Sequence, residues 1–140
     1  MRQRISISII LGILFTVGLA ACGPQPPEKV EVKLTEFGIE SSRTDFKVGQ
    51  TYEITVTNAG TVGHEFMIMP PLDNGGMHMD MGAIDQQALA MIPIDQLPAG
   101  ATQTVTVTFK QPVSPGNLEF ACHTPGHYEQ NMRMPITVQP

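Results

Sequence analysis

Apolar and polar residues alternate along much of this chain. In "VEVKLTEF" (residues 30–37), Val30, Val32 and Leu34 share one side, while Glu31, Lys33 and Thr35 share the other. "TYEITVTN" (51–58) sets Tyr52, Ile54 and Val56 against Thr51, Glu53, Thr55 and Thr57. "TQTVTVTF" (102–109) sets Val105, Val107 and Phe109 against Thr102, Thr104, Thr106 and Thr108. A period of two, rich in β-branched residues, predicts strands with one face buried and one in water. "HEFMIM" (64–69), "LEFAC" (118–122) and "PITVQ" (135–139) predict three shorter strands. Gly, Pro and Asn mark turns at 48–50, 58–60, 98–100 and 114–117. Short strands punctuated in this way predict an all-β fold, a sandwich or a barrel.

Residues 70–98 break the alternation. Within them "AIDQQALAMI" (83–92) predicts a short helix, with Ile84, Ala88, Leu89 and Met91 or Ile92 toward the core. No repeat of solenoid length runs through the chain.

The first residues follow a different rule. Arg2 and Arg4 precede an apolar run, residues 5–21, that ends in "LAAC". A basic start, an apolar middle and small residues before a cysteine predict a cleaved signal over 1–21, with Cys22 lipidated as the new N-terminus. An uncleaved anchor is the alternative, although a span needs about 20 apolar residues. Either way the protein is expected outside the cytoplasm, tethered to a bacterial membrane on its periplasmic or cell-surface side. "GPQPPEK" (23–29) reads as a stiff spacer, and the folded domain is expected over 30–140.

That leader changes the charge and the cysteine chemistry. The full chain carries a net charge of −5; without Arg2 and Arg4 it has 6 basic and 13 acidic side chains. Nucleic acid is thereby disfavoured as a partner. The chain has two cysteines, Cys22 and Cys122. If Cys22 carries lipid, Cys122 stands alone in an oxidising compartment, where a metal is one means of occupying it.

Cys122 sits in "CHTPGHYEQNM" (122–132), which spaces Cys122, His127 and Met132 by four residues each. Thiolate and imidazole together suit copper or zinc; two imidazoles, a thiolate and a weak thioether suit copper in an electron-transfer site. Zinc would more often recruit further Cys or His. The second imidazole must come from elsewhere, and His64 is available at the start of a predicted strand. Pro125 and Gly126 force a tight turn between the donors. Singly, each residue has an ordinary reading as a solvated His, a core Met or a small buried thiol.

The motifs "GHEF" (63–66) and "FACHTPGHYEQNM" (120–132), with "FKVGQTYEITVTNAG" (46–60) before them, resemble the cupredoxins, the small blue (type 1) copper proteins. The equal gaps around His127 are most similar to the loop of auracyanins, rusticyanin and sulfocyanins. The likeness covers roughly 30–69 and 99–140 and leaves about 70–98 as an insertion. It implies an all-β, Greek-key β-sandwich with one type 1 copper per chain at one end. It implies His64, Cys122 and His127 as strong in-plane ligands and Met132 as the weak axial one. Asn131 departs from the pattern, since many relatives have Gly before the Met. The likeness also implies a His127 edge at the surface, beside Pro125. The function implied is single-electron carriage between extracytoplasmic partners such as cytochromes or oxidases, by transient contacts of a monomer and without enzymatic activity. Glu65, beside a ligand, is a candidate for tying the two ligand segments together or an ordinary strand-edge acid.

Two rival readings remain. The same loop resembles the last motif of multicopper oxidases and copper nitrite reductases, where a His beside the cysteine binds another copper; His123 would be that residue. Ala121 stands where the oxidase motif has a further His. The chain has four His and no His-x-His pair. His123 is therefore expected to be a solvated loop residue. The second rival is copper handling, as a chaperone or resistance protein. "MHMDM" (77–81) sets Met77, Met79 and Met81 around and near His78, a candidate Cu(I) site. Stoichiometry separates the readings: one copper per chain or two.

Overall fold

The computed structural model describes residues 25–72 and 84–140. The expected leader, Cys22 and the Met77, His78, Met79 and Met81 stretch lie outside the described residues. Among the described residues no helix is long and apolar enough to cross a membrane.

In chain order the strands are β1 (Glu28–Leu34), β2 (Ile39–Ser41), β3 (Asp45–Lys47), β4 (Thr51–Asn58) and β5 (Phe66–Met69). They continue with β6 (Ala90–Ile92), β7 (Thr102–Thr108), β8 (Glu119–Ala121), β9 (Arg133–Pro135) and β10 (Thr137–Gln139). One sheet has the order β2-β1-β4-β7, a second β6-β5-β8-β9, and a two-stranded ribbon pairs β10 with β3. The sheets do not close on one another, so the architecture is a sandwich.

The alternation read from the sequence becomes the two faces of the first sheet. β1 runs parallel to β4 and β4 antiparallel to β7. This register aligns Val30, Val32 and Leu34 with Ile54 and Val56 over the core. Each such side chain contributes about 1.5–3 kcal/mol on burial, so a slip by one residue would forfeit the whole stripe. The opposite face carries threonines in cross-strand pairs. Thr51 and Thr108 hydroxyls lie 2.8 Å apart, Thr57 and Thr102 3.0 Å, and Thr55 and Thr104 3.3 Å. Such pairs are the solvent-side half of sheet stabilisation.

Phe66 and Ile68 from β5 and Phe120 from β8 face the same core from the second sheet. Phe46 joins the layers, its ring 4.9 Å from Tyr52, 5.1 Å from Phe109 and 5.9 Å from Phe120. β5 is buried on both sides. Its outward residues Met67 and Met69 pack with Ile84, Leu72 and Ala88. Leu72, Ile84 and Ala88 thus cover the outer face of this sheet.

The helix expected over 83–92 is replaced by a helical turn and a strand. Gln87 N–H donates to Ile84 O at 2.8 Å, and Ala88 N–H donates to Asp85 O at 3.1 Å. The chain then extends as β6 and pairs antiparallel with β5, Phe66 opposite Ile92 and Ile68 opposite Ala90. The free edge of β5 offers unpaired backbone groups, and filling them outweighs a weak helical pattern. Ile84 and Ile92 are buried as expected; Leu89 and Met91 are exposed. The expected strand over 135–139 is also two strands. β9 ends at Pro135 on the edge of the second sheet, where a missing N–H is tolerated. Ile136 N–H then donates to Leu118 O at 2.9 Å, and β10 crosses to pair with β3.

Candidate metal centre

Three separated positions converge at one end of the sandwich. His64 Nδ1 lies 3.1 Å from His127 Nδ1. Cys122 Sγ lies 3.8 Å from His64 Nδ1 and 3.7 Å from His127 Nδ1. A first-row metal sits about 2.0 Å from imidazole nitrogen and about 2.3 Å from thiolate sulfur, so His64, Cys122 and His127 could hold one ion together. Among the described residues this is the group of His, Cys, Asp and Glu donors close enough to share an ion.

Each ligand is placed by its own local device. His64 precedes β5, and its N–H donates to Leu97 O at 3.1 Å. The turn leading to it is organised by Asn58, a fully buried residue at the end of β4. Asn58 Nδ2 donates to Val62 O at 2.8 Å and to Leu97 O at 2.9 Å, while Oδ1 accepts from Gly60 N–H at 2.9 Å. The sequence marks Asn58 only as a turn residue; an Asn ending a strand before "AG" is also the pattern of an Asx turn.

Cys122 follows β8 directly, and its N–H donates to Met132 O at 3.1 Å. Pro125 and Gly126 occupy the centre of a turn closed by His127 N–H to Thr124 O at 2.9 Å. Gly126 has φ 87°, as the third position of a type II turn requires. Met132 is fully buried, and its N–H donates to His127 O at 3.0 Å. The Asn131 departure resolves in the backbone. Asn131 has φ 66°, a left-handed conformation open to Gly and, among other residues, favoured by Asn. Asparagine therefore takes a backbone conformation that glycine also accepts.

Glu65 sits between the two ligand segments, its backbone close to the Cys122 sulfur and its carboxyl close to the His123 backbone. Burial, and Asp85 nearby, push its carboxyl above the ordinary range. Burial likewise raises the Cys122 thiol, opposed by hydrogen bonds from the Thr124 side chain and the Glu65 backbone. Burial holds His64 below the usual imidazole range, and His127 adds to this. Two imidazoles beside a thiol that becomes a thiolate on metal binding suit a soft cation.

His123 corrects the sequence reading. It is 5% exposed, not solvated, and its ring meets Tyr128 edge to face at 5.1 Å. Tyr128, folding back within the loop, covers the imidazole. Tyr128 in turn donates to the buried Glu119 at 2.6 Å and accepts from Leu72 N–H at 2.9 Å. The His127 edge is narrower than expected, at 9% exposure. Phe37 stands against it, 5.4 Å between centroids, and is itself 53% exposed. The sequence reading placed Phe37 at the end of a strand; instead β1 stops at Leu34 and a turn carries Phe37 to the metal end.

Over residues 28–139 the sequence matches the family described as copper binding proteins, plastocyanin/azurin family. The chain belongs to this family. It is similar to the copper-resistant cuproprotein CopI of Pseudomonas aeruginosa, 26% identical over 152 residues that cover 88% of this chain and 82% of that protein. Its fold is similar to that of auracyanin from Roseiflexus castenholzii, with TM-score 0.61 and 23% identity over 83% of this chain and 100% of that one. Rusticyanin from Thiobacillus ferrooxidans gives TM-score 0.56 and 19% identity over 81% of this chain and 79% of that one. With the family shown, the His64, Cys122, His127 and Met132 cluster fits one type 1 copper.

Proposed function

We propose that this cupredoxin carries single electrons between extracytoplasmic redox partners, tethered to a membrane through a lipidated Cys22. The observation that carries the reading is the donor triangle: two imidazole nitrogens and a thiolate sulfur within 3.8 Å of one another, under a pinned methionine loop. In this reading His64, Cys122 and His127 would hold the copper, with Met132 as a weaker soft donor. Bound copper supplies a one-electron couple between Cu(II) and Cu(I). The protein supplies a ligand set whose positions are held by backbone hydrogen bonds to strands and turns. Little has to move when the charge at the centre changes, which keeps the exchange fast. Buried Cys122 and His64 exclude water, and the Phe37–His127 edge is the route to the surface. Transient redox contacts bury little area, and an exposed aromatic beside a ligand suits one. Cytochromes or oxidases are partners of suitable chemistry, and the chain itself is read as a monomer without enzymatic activity.

The test is the visible and EPR spectrum of the protein with one equivalent of Cu(II), with metal counted alongside. An intense thiolate-to-copper band, a narrow hyperfine splitting and reversible cycling are expected. A pale protein with tetragonal copper would overturn the reading.

Copper handling is the second reading. The likeness to CopI, named a copper-resistant cuproprotein, and the Met77, His78, Met79 and Met81 stretch favour it. Two coppers per chain, one of them bound as Cu(I) with its loss in a variant lacking those methionines, would establish it.

A further inference from the structure

The turn after β1 approaches both imidazole ligands through two adjacent residues. Thr35 N–H donates to Gly38 O at 2.9 Å and closes the turn. Phe37 leans on His127, and Glu36 reaches toward His64. Glu36 Oε1 is anchored, accepting from Thr61 N–H at 2.9 Å and from Thr61 Oγ1 at 2.7 Å. Oε2 is left free to face inward.

His64 presents the complementary atom. Its Nδ1 belongs to the donor triangle, so in the copper protein the proton resides on Nε2. Nε2 is buried and has no hydrogen-bond partner among the described residues. An orphaned buried donor is costly and is rarely left so. The space beside it is kept open by Gly60. A Cβ at Gly60 would lie 2.9 Å from Glu36 Oε2, 2.9 Å from His64 Nε2 and 3.3 Å from Asn58 Oδ1. The carboxylate oxygen and the ring nitrogen therefore converge on one small gap, within reach of a side-chain rotation or a single water. Asn58 Oδ1 already accepts from Gly60 N–H at 2.9 Å. The free carboxylate oxygen is the stronger acceptor of the two.

We propose that Glu36 is the positioning residue for the His64 ligand: its Oε2 accepts the Nε2–H of His64, directly or through one water, across the gap that Gly60 leaves. The bond holds the ring plane toward the copper. The carboxylate charge also makes His64 a stronger donor and favours the more positive oxidised centre. Glu36 thereby lowers the reduction potential. Thr61 keeps the carboxylate aimed, through its two hydrogen bonds to Oε1. The proposal rests on the copper site, and the failure of the electron-carrier reading would leave it standing.

The experiment compares copper-loaded wild type with Glu36→Gln, Gly60→Ala and, as a charge control, Glu129→Gln. Glu129 is exposed on the ligand loop. Reduction potentials are measured by voltammetry, and the His64 Nε2–H resonance is followed by NMR in the diamagnetic Cu(I) protein. In wild type this proton is expected far downfield and slow to exchange. In Glu36→Gln it moves upfield and the potential rises. Gly60→Ala keeps the charge but fills the gap, so it produces the same two changes. Glu129→Gln shifts the potential less and leaves the resonance in place, and Glu36→Asp recovers part of the wild-type signal. Thermal unfolding of each variant separates these changes from loss of fold. An unchanged resonance in Glu36→Gln, or a potential shift no larger than that of Glu129→Gln, would overturn the proposal.

Discussion

The segment that carries His64 and the loop that carries Cys122, His127 and Met132 reach the same centre by opposite means. Residues 58–66 have few regular backbone bonds of their own. They are held from afar, by Asn58 clasping Leu97 O and by His64 N–H on the same carbonyl, contacts that span 39 and 33 positions of sequence. The loop over 122–132 is held mostly by itself. Turn bonds link Thr124 to His127, Gly126 to Gln130, Tyr128 to Asn131 and His127 to Met132. One ligand thus depends on the finished fold, whereas three depend on an eleven-residue spelling whose turns are written into it. A loop of this kind is portable between strands; a ligand like His64 is not.

The comparison breaks most completely at Cys122. Cys122→Ser removes the soft donor, and the intense visible band should vanish even where copper still binds to the imidazoles. Retention of that band would remove Cys122 from the centre.

Next in size is the clasp on the His64 side. Asn58→Ala leaves the carbonyl of Val62 and the N–H of Gly60 without their buried partners, a loss of roughly 1–3 kcal/mol for each such group left unpaired. Chemical denaturation should show this drop. The EPR spectrum should also broaden, because His64 loses its fixed approach. An unaltered spectrum in a destabilised protein would show that His64 is positioned without Asn58.

On the loop side the matching change is Asn131→Ala, which places a residue with a Cβ and no compensating amide in the left-handed region at a cost of about 1 kcal/mol. Asn131→Gly should cost little, because glycine accepts that conformation. Equal losses from the two substitutions would indicate that the side-chain bond to Arg133 Nε, at 3.1 Å, matters more than the backbone angle.

The smallest effect sharpens the role of the supports beneath the loop. Glu119 is buried, and burial raises its carboxyl above the ordinary range, opposed by the hydrogen bond from Tyr128 and by Arg133. Between the ordinary carboxylate range and that raised value, the folded state holds a proton that the unfolded state has released. Stability therefore falls as pH climbs through this window. Glu119→Gln keeps an oxygen acceptor for Tyr128 and removes the titration. Its stability relative to wild type should rise across the same window, by on the order of 1 kcal/mol for each unit of raised pKa. A difference that is flat with pH would mean the carboxylate is not the source of the slope.

The sheets and the ligand loop were largely legible in the sequence, each for a reason that is local. Strands β1, β4 and β7 announce themselves by alternation because one face must be dry and the other wet. Strands of three residues, such as β2, β3, β6 and β9, are too short to show a period. β6 in particular exists because β5 has an edge to fill, a fact that residues 90–92 do not contain. His123 illustrates the same limit. Beside a cysteine in a polar loop it looks solvated, and only Tyr128 folding back against it buries the ring.

By itself, then, the sequence determined the all-β class, the core faces of the long strands and the soft donor set of the loop. Those follow from periodicity and from the chemistry of thiolate, imidazole and thioether, which do not depend on what lies nearby. The tertiary structure brought His64, expected from the resemblance, against that loop and set Glu65 between the ligand segments, and it alone decided that the turn after β1 brings Glu36 and Phe37 toward the two imidazoles. Those contacts join residues tens of positions apart, and their geometry is set by strand register and by the burial of groups that have nowhere else to hydrogen-bond.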